Sequence, residues 1–228
     1  MKQIYSFLGL PASGKGTQTK LLSDNKHIEI VGIGQLVRRE ISQGDKGDPF
    51  FAEIKQRYDS GIPQRDEVVL DLIKRELTQS PRGVIFDNFP FSRTQAKHLD
   101  EFTTHSQLPK PIIIYLKIDP ATAVRRVIHR KVCSECGENY IDSQAAICEK
   151  CGGSLVSRSD DNEDTVKKRI EHYLPRIREV VEWYKPSGRV IEIDGEPPIE
   201  IVYNGLIHAI ERIERDSASI VNRNTKNG

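Results

Sequence analysis

The sequence predicts an α/β protein built on a doubly wound parallel sheet, and two observations carry that prediction. Short apolar runs alternate with longer segments of helical periodicity along most of the 228 residues, which is typical of parallel βαβ units. The apolar runs also end at or near glycine or aspartate, as at Gly9 and Asp87. In open α/β sheets this carboxyl edge of the strands is where ligands bind.

Four apolar runs predict the strands, at residues 3–8, 84–86, 112–116 and 190–193. Helical periodicity follows the runs, with apolar residues three or four positions apart. The predicted helices cover Lys15 to about Ser23, 67–77, 121 to about 132, and 163–184. Two polar stretches, 32–66 and 132–157, break the alternation, so we predict that they are insertions into the α/β core.

The overall charge excludes some classes of protein. There are 34 Lys and Arg residues against 33 Asp and Glu, giving a net charge of +1. A protein whose whole surface grips nucleic acid or an acidic membrane carries a large net charge. We find no apolar run of 18 residues and no signal-peptide pattern at the N-terminus, so we expect a cytoplasmic location and no membrane contact.

A glycine-rich segment between the first predicted strand and helix matches the phosphate-binding pattern G-x-x-x-x-G-K. Backbone N–H groups of such a loop surround phosphates, and its lysine reaches the β- and γ-phosphates. The segment here has a glycine between the lysine and the threonine that usually follows it directly. The candidate ATP-binding residues are Gly9, Pro11, Ala12, Ser13, Gly14, Lys15, Gly16 and Thr17.

Four cysteines fall in the second insertion as two C-x-x-C pairs, Cys133 with Cys136 and Cys148 with Cys151. This spacing is typical of zinc knuckles, in which four thiolates surround one tetrahedral ion. The alternatives are two disulfides or reactive free thiols, and a cytosolic chain favours the metal. A site with four protein ligands leaves no open position, so the predicted zinc is structural.

Several charged residues flank the same insertion. Arg126 and Arg130 lie one helical turn apart before it, Arg158 follows it, and Arg169 lies further along the next predicted helix. Phosphoryl transfer depends mainly on positive charge held around the migrating group. Asp87, at the end of a predicted strand, is placed where a carboxylate can hold Mg²⁺ through water.

Three separated motifs resemble those of the adenylate kinase family of nucleoside monophosphate kinases. They are the G-x-P-x-x-G-K-G-T-Q loop at residues 9–18, the D-x-F-P strand end at 87–90, and the D-D-x-x-x-T-V-x-x-R helix start at 160–169. The four cysteines are similar to the zinc site in the ATP-covering LID of many bacterial members. The resemblance covers all but about the last 15 residues.

The resemblance implies a P-loop NTPase-type fold with two insertions. The α/β core would comprise residues 1–31, 67–131 and 158–213. A helical NMP-binding insertion would cover 32–66, and a small zinc-binding LID would cover 132–157. A polar, flexible tail is expected over 214–228, since it has little to bury.

The resemblance also implies roles for single residues. Lys15, Arg130, Arg158 and Arg169 would contact the transferring phosphates, and Asp87 would hold Mg²⁺. Arg126 would brace the adenine of ATP. On the acceptor side, Arg38 and Gln95 match family positions that bind the nucleoside monophosphate.

The acceptor side departs from the family pattern. Phe91 stands where the family has an arginine that grips the acceptor phosphate, and Arg93 lies two residues further on. In the first insertion, Ile33 and Gln35 replace a threonine and an aspartate. Arg93 is therefore a candidate to supply the missing charge.

The resemblance implies a monomeric enzyme that converts MgATP and AMP to two ADP by direct in-line transfer. Two alternatives stay open because of Phe91: a kinase for a different nucleoside monophosphate, or an ATP-binding relative without catalysis. Nucleic-acid binding is not expected, because no basic stripe with interleaved aromatic residues accompanies the cysteine pairs.

Overall fold

A five-stranded parallel sheet with strand order β2-β3-β1-β4-β8 forms the centre of the computed structural model. Its strands are β1 (Gln3–Gly9), β2 (Glu29–Gly32), β3 (Gly83–Asp87), β4 (Ile112–Lys117) and β8 (Val190–Asp194). The structure describes residues 2–43, 47, 49–60, 62, 64–157 and 161–224. All four strand pairings are parallel, which confirms the predicted α/β class.

Eight helices connect these strands in the described part of the chain. They are α1 (Lys15–Lys26), α2 (Ile33–Gln43), α3 (Pro49–Asp59), α4 (Asp66–Gln79), α5 (Arg93–His105), α6 (Pro120–Ile128), α7 (Glu163–Tyr184) and α8 (Ile199–Asn224). Side-chain caps fix the start of three of them: Ser92 caps α5, Asp119 caps α6 and Asn162 caps α7. Each cap accepts a hydrogen bond from a backbone N–H that the first turn would leave unpaired.

Both faces of the sheet are buried, as a parallel sheet requires. Alternate side chains of β1 enter different apolar clusters. Ile4 packs with α4 residues, while Tyr5 and Phe7 pack with the α8 residues Leu206 and Ile210. Layers of helices on both faces leave the carboxyl edge of the strands open.

A second, smaller sheet lies between α6 and α7. It is antiparallel in the order β6-β5-β7, with β5 at Arg130–Cys133, β6 at Asn139–Ile141 and β7 at Leu155–Val156. Its apolar cluster contains only Cys133, Cys148 and Leu155 as buried members among the described residues. So small a core supplies little folding free energy by itself.

Two features of the fold differ from what the sequence pattern predicts. The strand β2 was not among the four predicted strands, because its four residues are too few to establish a period. The helix predicted over 121 to about 132 is shorter, since α6 ends at Ile128 and the chain turns into β5 at Arg130. The helix predicted over 163–184 is confirmed as α7, with Pro175 inside it. No helix in the described part of the chain is both long enough and apolar enough to cross a membrane.

The helix α8 runs through Asn224, so it extends into the segment 214–228 that was expected to form a polar tail. The Glu214 carboxylate accepts hydrogen bonds from Gln3 Nε2 and the Tyr5 hydroxyl, each at 2.5 Å, and pairs with Lys26 at 3.0 Å. Burial and this carboxylate raise the pKa of Tyr5. The expected boundary after residue 213 therefore falls inside a helix, because polar groups of β1 and α1 hold its next turn. Residues 225–228 lie outside the described part of the chain.

We predict that Glu214→Ala lowers the free energy of unfolding by about 1–3 kcal/mol, because it leaves the hydroxyl of the fully buried Tyr5 without its acceptor. Denaturant titration measures the change. Glu211→Ala is the matched control, since Glu211 is exposed on the same helix and such a change is expected to stay within about 0.5 kcal/mol. Equal effects of the two variants would contradict the anchoring role of Glu214.

Candidate active site

A cleft of about 860 Å³ opens at the carboxyl edge of the large sheet. Its walls come from the loop after β1, the end of β3, the helices α6 and α7, the small sheet, and the loop after β8. The parallel pairing of Phe7 with Asp87 places the first two of these side by side. The cleft is therefore at the position where open α/β sheets bind ligands.

The loop between β1 and α1 lines the floor of the cleft with all residues from Pro11 to Thr17. A Cβ atom at Gly9 would lie 2.6 Å from Ser13 Oγ and 2.7 Å from the Leu116 carbonyl oxygen, so only glycine lets the loop turn back here. The loop leads directly into α1, whose first residue is Lys15. The N–H groups and positive dipole end of that helix therefore face the cleft and favour an anion.

Lys15 extends over this loop from the start of α1. Its ammonium donates to the Gly9 carbonyl at 2.7 Å and to the Leu10 carbonyl at 3.0 Å. Burial lowers the pKa of Lys15 to about 8, the Asp87 carboxylate opposes the change, and Arg130 adds to it. A buried ammonium with so few compensating anions is poised to gain an anionic partner.

Three polar atoms in the wall of the cleft are buried without a hydrogen-bond partner among the described residues: Ser13 Oγ, Gln18 Oε1 and Asn88 Oδ1. Asn88 has a φ of 59°, the left-handed conformation that asparagine tolerates. Buried polar groups without partners are uncommon. Their position in the cleft is consistent with a polar ligand there.

Arg126 and Arg130 both line the cleft, but they are held differently. Arg126 donates to backbone carbonyls of the loop after β8, to Gly195 at 2.9 Å and Glu196 at 3.0 Å. Arg130 makes a two-point ion pair with Asp161, at 2.8 Å from Nε and 2.6 Å from Nη2. The Asp161 side chain is only 1% exposed, so the pair fixes the orientation of the Arg130 guanidinium.

The other predicted donor-side residues have mixed outcomes. Arg169 and Asp87 both line the cleft. Arg158 lies outside the described residues. The cleft therefore brings together most of the cations that the sequence singled out, with the carboxylate at its edge.

The three acceptor-side candidates lie on two helices, Arg38 on α2 and both Arg93 and Gln95 on α5. Gln95 is buried on α5, donates from Nε2 to Asp66 at 2.6 Å, and accepts at Oε1 from the Phe91 backbone N–H at 2.7 Å. Arg38 is exposed on α2, with Nη1 3.3 Å from the position of a Cβ at Gly34. Its guanidinium therefore folds back to the first turn of α2, at the carboxyl end of β2.

Arg93, the predicted substitute for the missing arginine, is turned elsewhere. Its guanidinium carbon lies 5.4 Å from the centre of the Trp183 ring. Among the described residues, those that line the cleft do not include Arg93. An assignment of Arg93 to the acceptor phosphate would need it to leave this cation–π contact.

The four cysteines converge in the small sheet, and none of them forms a disulfide. Their sulfur atoms all lie within 4.8 Å of one another, with 3.4 Å between Cys133 and Cys151 and 3.7 Å between Cys136 and Cys148. Four thiolates at 2.3 Å from a tetrahedral zinc ion would stand about 3.8 Å apart. The cluster fits zinc.

The two C-x-x-C pairs share one backbone geometry. The Gly137 N–H donates to the Cys133 carbonyl at 3.1 Å, and the Gly152 N–H donates to the Cys148 carbonyl at 2.8 Å. Both glycines have positive φ, 71° and 77°, which closes each turn. The Cys136 N–H also points at Cys133 Sγ, at 3.5 Å. These turns aim all four sulfurs at one point.

Several residues in and next to the cleft carry no sequence signal for their role. Asp161 belongs to a quoted motif, but its pairing with Arg130 depends on long-range packing. The walls formed by Asn139 and Ile141 in the small sheet, and by Gly195 and Glu196 after β8, have no motif of their own. The one available signal was position, since the loop after β8 follows a predicted strand.

Comparison with known proteins identifies one family. The family model described as "Adenylate kinase" matches residues 7–189. Those residues include the end of β1 and the loop after it, β3, the four cysteines and α7. The match therefore spans the cleft apart from the loop after β8 and the start of α8.

Individual relatives match over nearly their full length. An adenylate kinase of Syntrophotalea carbinolica is 33% identical over 217 residues, covering 92% of this chain and 98% of that protein. Adenylate kinases of Alkaliphilus oremlandii and Archaeoglobus fulgidus are each 31% identical, covering 89% and 91% of this chain and 96% and 98% of those proteins.

We predict that ATP affinity is constant below pH 8 and falls as pH rises above it. The pKa of Lys15 is about 8 in the free protein, and a polyphosphate beside the ammonium must raise it, so binding takes up a proton above that pH. Above pH 8 the loss of ATP affinity approaches tenfold per pH unit, until the pH reaches the pKa of Lys15 in the ATP complex. Calorimetric titration from pH 7 to 9.5, in buffers of different ionisation enthalpy, measures both the affinity and the proton uptake.

Lys15→Met is the control for this titration. Without an ionisable group at this position, its affinity should be lower throughout and the decline above pH 8 should disappear. A wild-type affinity that does not change between pH 7 and 9.5 would contradict the placement of Lys15 against the polyphosphate.

Proposed function

The chain belongs to the adenylate kinase family, and on that premise we propose that it transfers the γ-phosphoryl group of MgATP to AMP. Membership makes it an adenylate kinase-like phosphotransferase, a nucleoside monophosphate kinase. AMP as the acceptor is the further step. The proposed phosphoryl transfer rests on the cleft, in which the loop after β1 and its Lys15 lie opposite the end of β3.

On the donor side, we assign each cation a distinct task. Lys15 would move from its carbonyl partners to the β- and γ-phosphates, which restores the full charge that burial disfavours. Arg130 uses two of its five N–H donors on Asp161 and keeps the rest for phosphate oxygens. Arg169 would contact the same phosphates, and Arg126 would brace the adenine through the loop that it holds. Arg158 would join Arg130 and Arg169, as the family resemblance implies.

The residues suited to Mg²⁺ are Asp87 and Thr17, both in the wall of the cleft. A carboxylate and a hydroxyl are hard oxygen donors, and Mg²⁺ that keeps several waters needs no more from the protein. When bound with ATP, the ion would neutralise charge on the β- and γ-phosphates. The protein's own part is to hold the two nucleotides in line and to exclude water.

On the acceptor side, Gln95 supports a base-reading role. Its amide has one further N–H donor and one further acceptor position beyond the bonds to Asp66 and Phe91. A donor and an acceptor side by side match the edge of adenine. Arg38, at the carboxyl end of β2, is our candidate for a phosphate contact, and Arg93 would have to leave Trp183 to contribute.

We also retain the division into parts as a proposal. The core would be 1–31, 67–131 and 158–213, with 32–66 as the NMP-binding insertion and 132–157 as the LID. The small sheet supports the LID assignment, because Asn139 and Ile141 already form a wall of the cleft. A monomeric state and a cytoplasmic location remain predictions.

The LID would take zinc from the four cysteines as a structural ion. The sulfur separations support this, and so does the small apolar cluster around them, since metal binding can supply the missing folding free energy. No position would remain for water or substrate. The ion would therefore act on the shape of the LID and leave the chemistry to the cations of the cleft.

We predict one zinc ion per chain, measured by atomic emission on protein purified without chelators. Cys148→Ser should lose the ion, because it removes one ligand of a closed set. Ser134→Ala is the control, since Ser134 is exposed beside Cys133 without being a ligand. Zinc retained at full stoichiometry in Cys148→Ser would contradict the site.

A coupled assay of ADP formation tests the acceptor. With MgATP and a panel of AMP, CMP, UMP, GMP and deoxynucleotides, we expect AMP to be preferred, with turnover of at least about 1 s⁻¹. Preference for another monophosphate would identify a kinase of different acceptor. ATP binding without turnover on any of them would favour a non-catalytic relative, and Lys15→Met sets the background rate.

A further inference from the structure

Within the described part of the chain, the turn that follows β3 contributes no cation to the wall of the cleft. This turn lies at the same sheet edge as the loop that holds Lys15, because β1 and β3 are neighbours in register. An acceptor phosphate that attacks the γ-phosphoryl group in line must approach from beyond that loop, and two anions meet there only with positive charge between them. Phe91 offers none, and Arg93 is turned to Trp183.

The Phe91 ring lies in a cluster of side chains from α7. Its centre is 4.9 Å from that of Tyr173 at an interplanar angle of 80°, and 6.2 Å from that of His172. The guanidinium carbon of Arg176 lies 5.4 Å from the Phe91 ring centre. A phenylalanine at this position therefore holds an arginine from another element against its face, through a cation–π contact.

Arg176 is not among the described residues that line the cleft, but it lies on the same face of α7 as two that do. Arg169 and Tyr173 both line the cleft, and Arg176 is seven residues beyond the first and three beyond the second. Residues at these spacings share one helix face. At 1.5 Å per residue, Arg176 stands about 10 Å along the helix from Arg169. The contact with Phe91 shows that this direction leads to the turn after β3.

We propose that Arg176 supplies the guanidinium that binds the acceptor phosphate, in place of an arginine at position 91. This rests on the proposed function, since it assigns a residue to the acceptor half of the same site. The Phe91 ring positions the guanidinium, and Arg176 is an exposed residue, so it can make two parallel hydrogen bonds to a phosphate. An acceptor oxygen forms the new bond to the γ-phosphorus, the bond from that phosphorus to the bridging oxygen breaks, and ADP leaves. Arg176 balances charge and moves no proton.

The test compares Arg176→Met with Arg178→Met. Arg178 lies two residues further on the same helix, is exposed, and has its charge near Tyr115 of β4, away from Phe91. For Arg176→Met we expect kcat/KM for AMP to fall by about 10- to 150-fold, the effect of losing a hydrogen bond to a charged group. The KM for ATP should change less than about twofold. Arg178→Met should match the wild type.

A double variant tests whether the effect of Arg176→Met comes from the lost charge or only from a change in local structure. In Phe91→Arg/Arg176→Met, an arginine returns to the turn while the helix loses its own. We expect at least tenfold recovery of kcat/KM for AMP over Arg176→Met. Equal behaviour of Arg176→Met and Arg178→Met would overturn the proposal, as would a double variant that stays at the level of Arg176→Met.

AMP affinity, measured by calorimetry, separates this inference from the proposed function. If the wild type turns over AMP and Arg176→Met binds it as tightly as the wild type, the assignment of Arg176 fails alone. If the wild type binds AMP without turning it over, a loss of affinity in Arg176→Met still supports the assignment while the proposed activity fails. If the wild type neither binds nor phosphorylates AMP, both fail.

Discussion

The parallel pairing of β1 with β3 and β4 is the constraint on which the site depends. Parallel strands end at one edge, so the loop that begins at Gly9, the turn after Asp87 and the loop after β8 must meet there. None of these segments is near another in sequence. Apolar clusters on both faces hold the strands in register, and the open edge is left for polar chemistry.

Positive charge gathered at that edge explains how a chain of net charge +1 can bind polyanions. Lys15, Arg126, Arg130 and Arg169 border a single cleft, and Asp161, the partner of Arg130, is buried. Burial strengthens these electrostatic interactions by removing water. The same burial disfavours the charged form of Lys15 in the ligand-free protein, as its lowered pKa indicates. Ligand charge would relieve that cost.

The sequence predicted features that are governed by local pattern, and it failed where distant segments decide. The alternation of apolar runs identified four of the five strands of the large sheet. Motif spacing identified the loop of Lys15 and the four cysteines. The short β2 was missed because its place at the sheet edge is decided by pairing with β3. Glu214 accepts hydrogen bonds from Gln3 and Tyr5 and pairs with Lys26, which connects α8 to the N-terminal part of the chain. No local sequence pattern predicts these contacts. Likewise, only the folded chain brings Arg176 against Phe91, 85 residues apart in sequence.

The ion pair between Arg130 and Asp161 affects how freely the segment that contains the small sheet can change in length during evolution. It ties together two residues 31 positions apart, one at the start of β5 after α6 and the other just before α7. The segment between them, which contains the small sheet, is therefore closed at its two ends by this ion pair. The entropy of closing a loop rises only with the logarithm of its length, by about 0.6 kcal/mol per doubling. Segments of quite different size could therefore be exchanged at this junction during evolution, while the rest of the molecule folds unchanged.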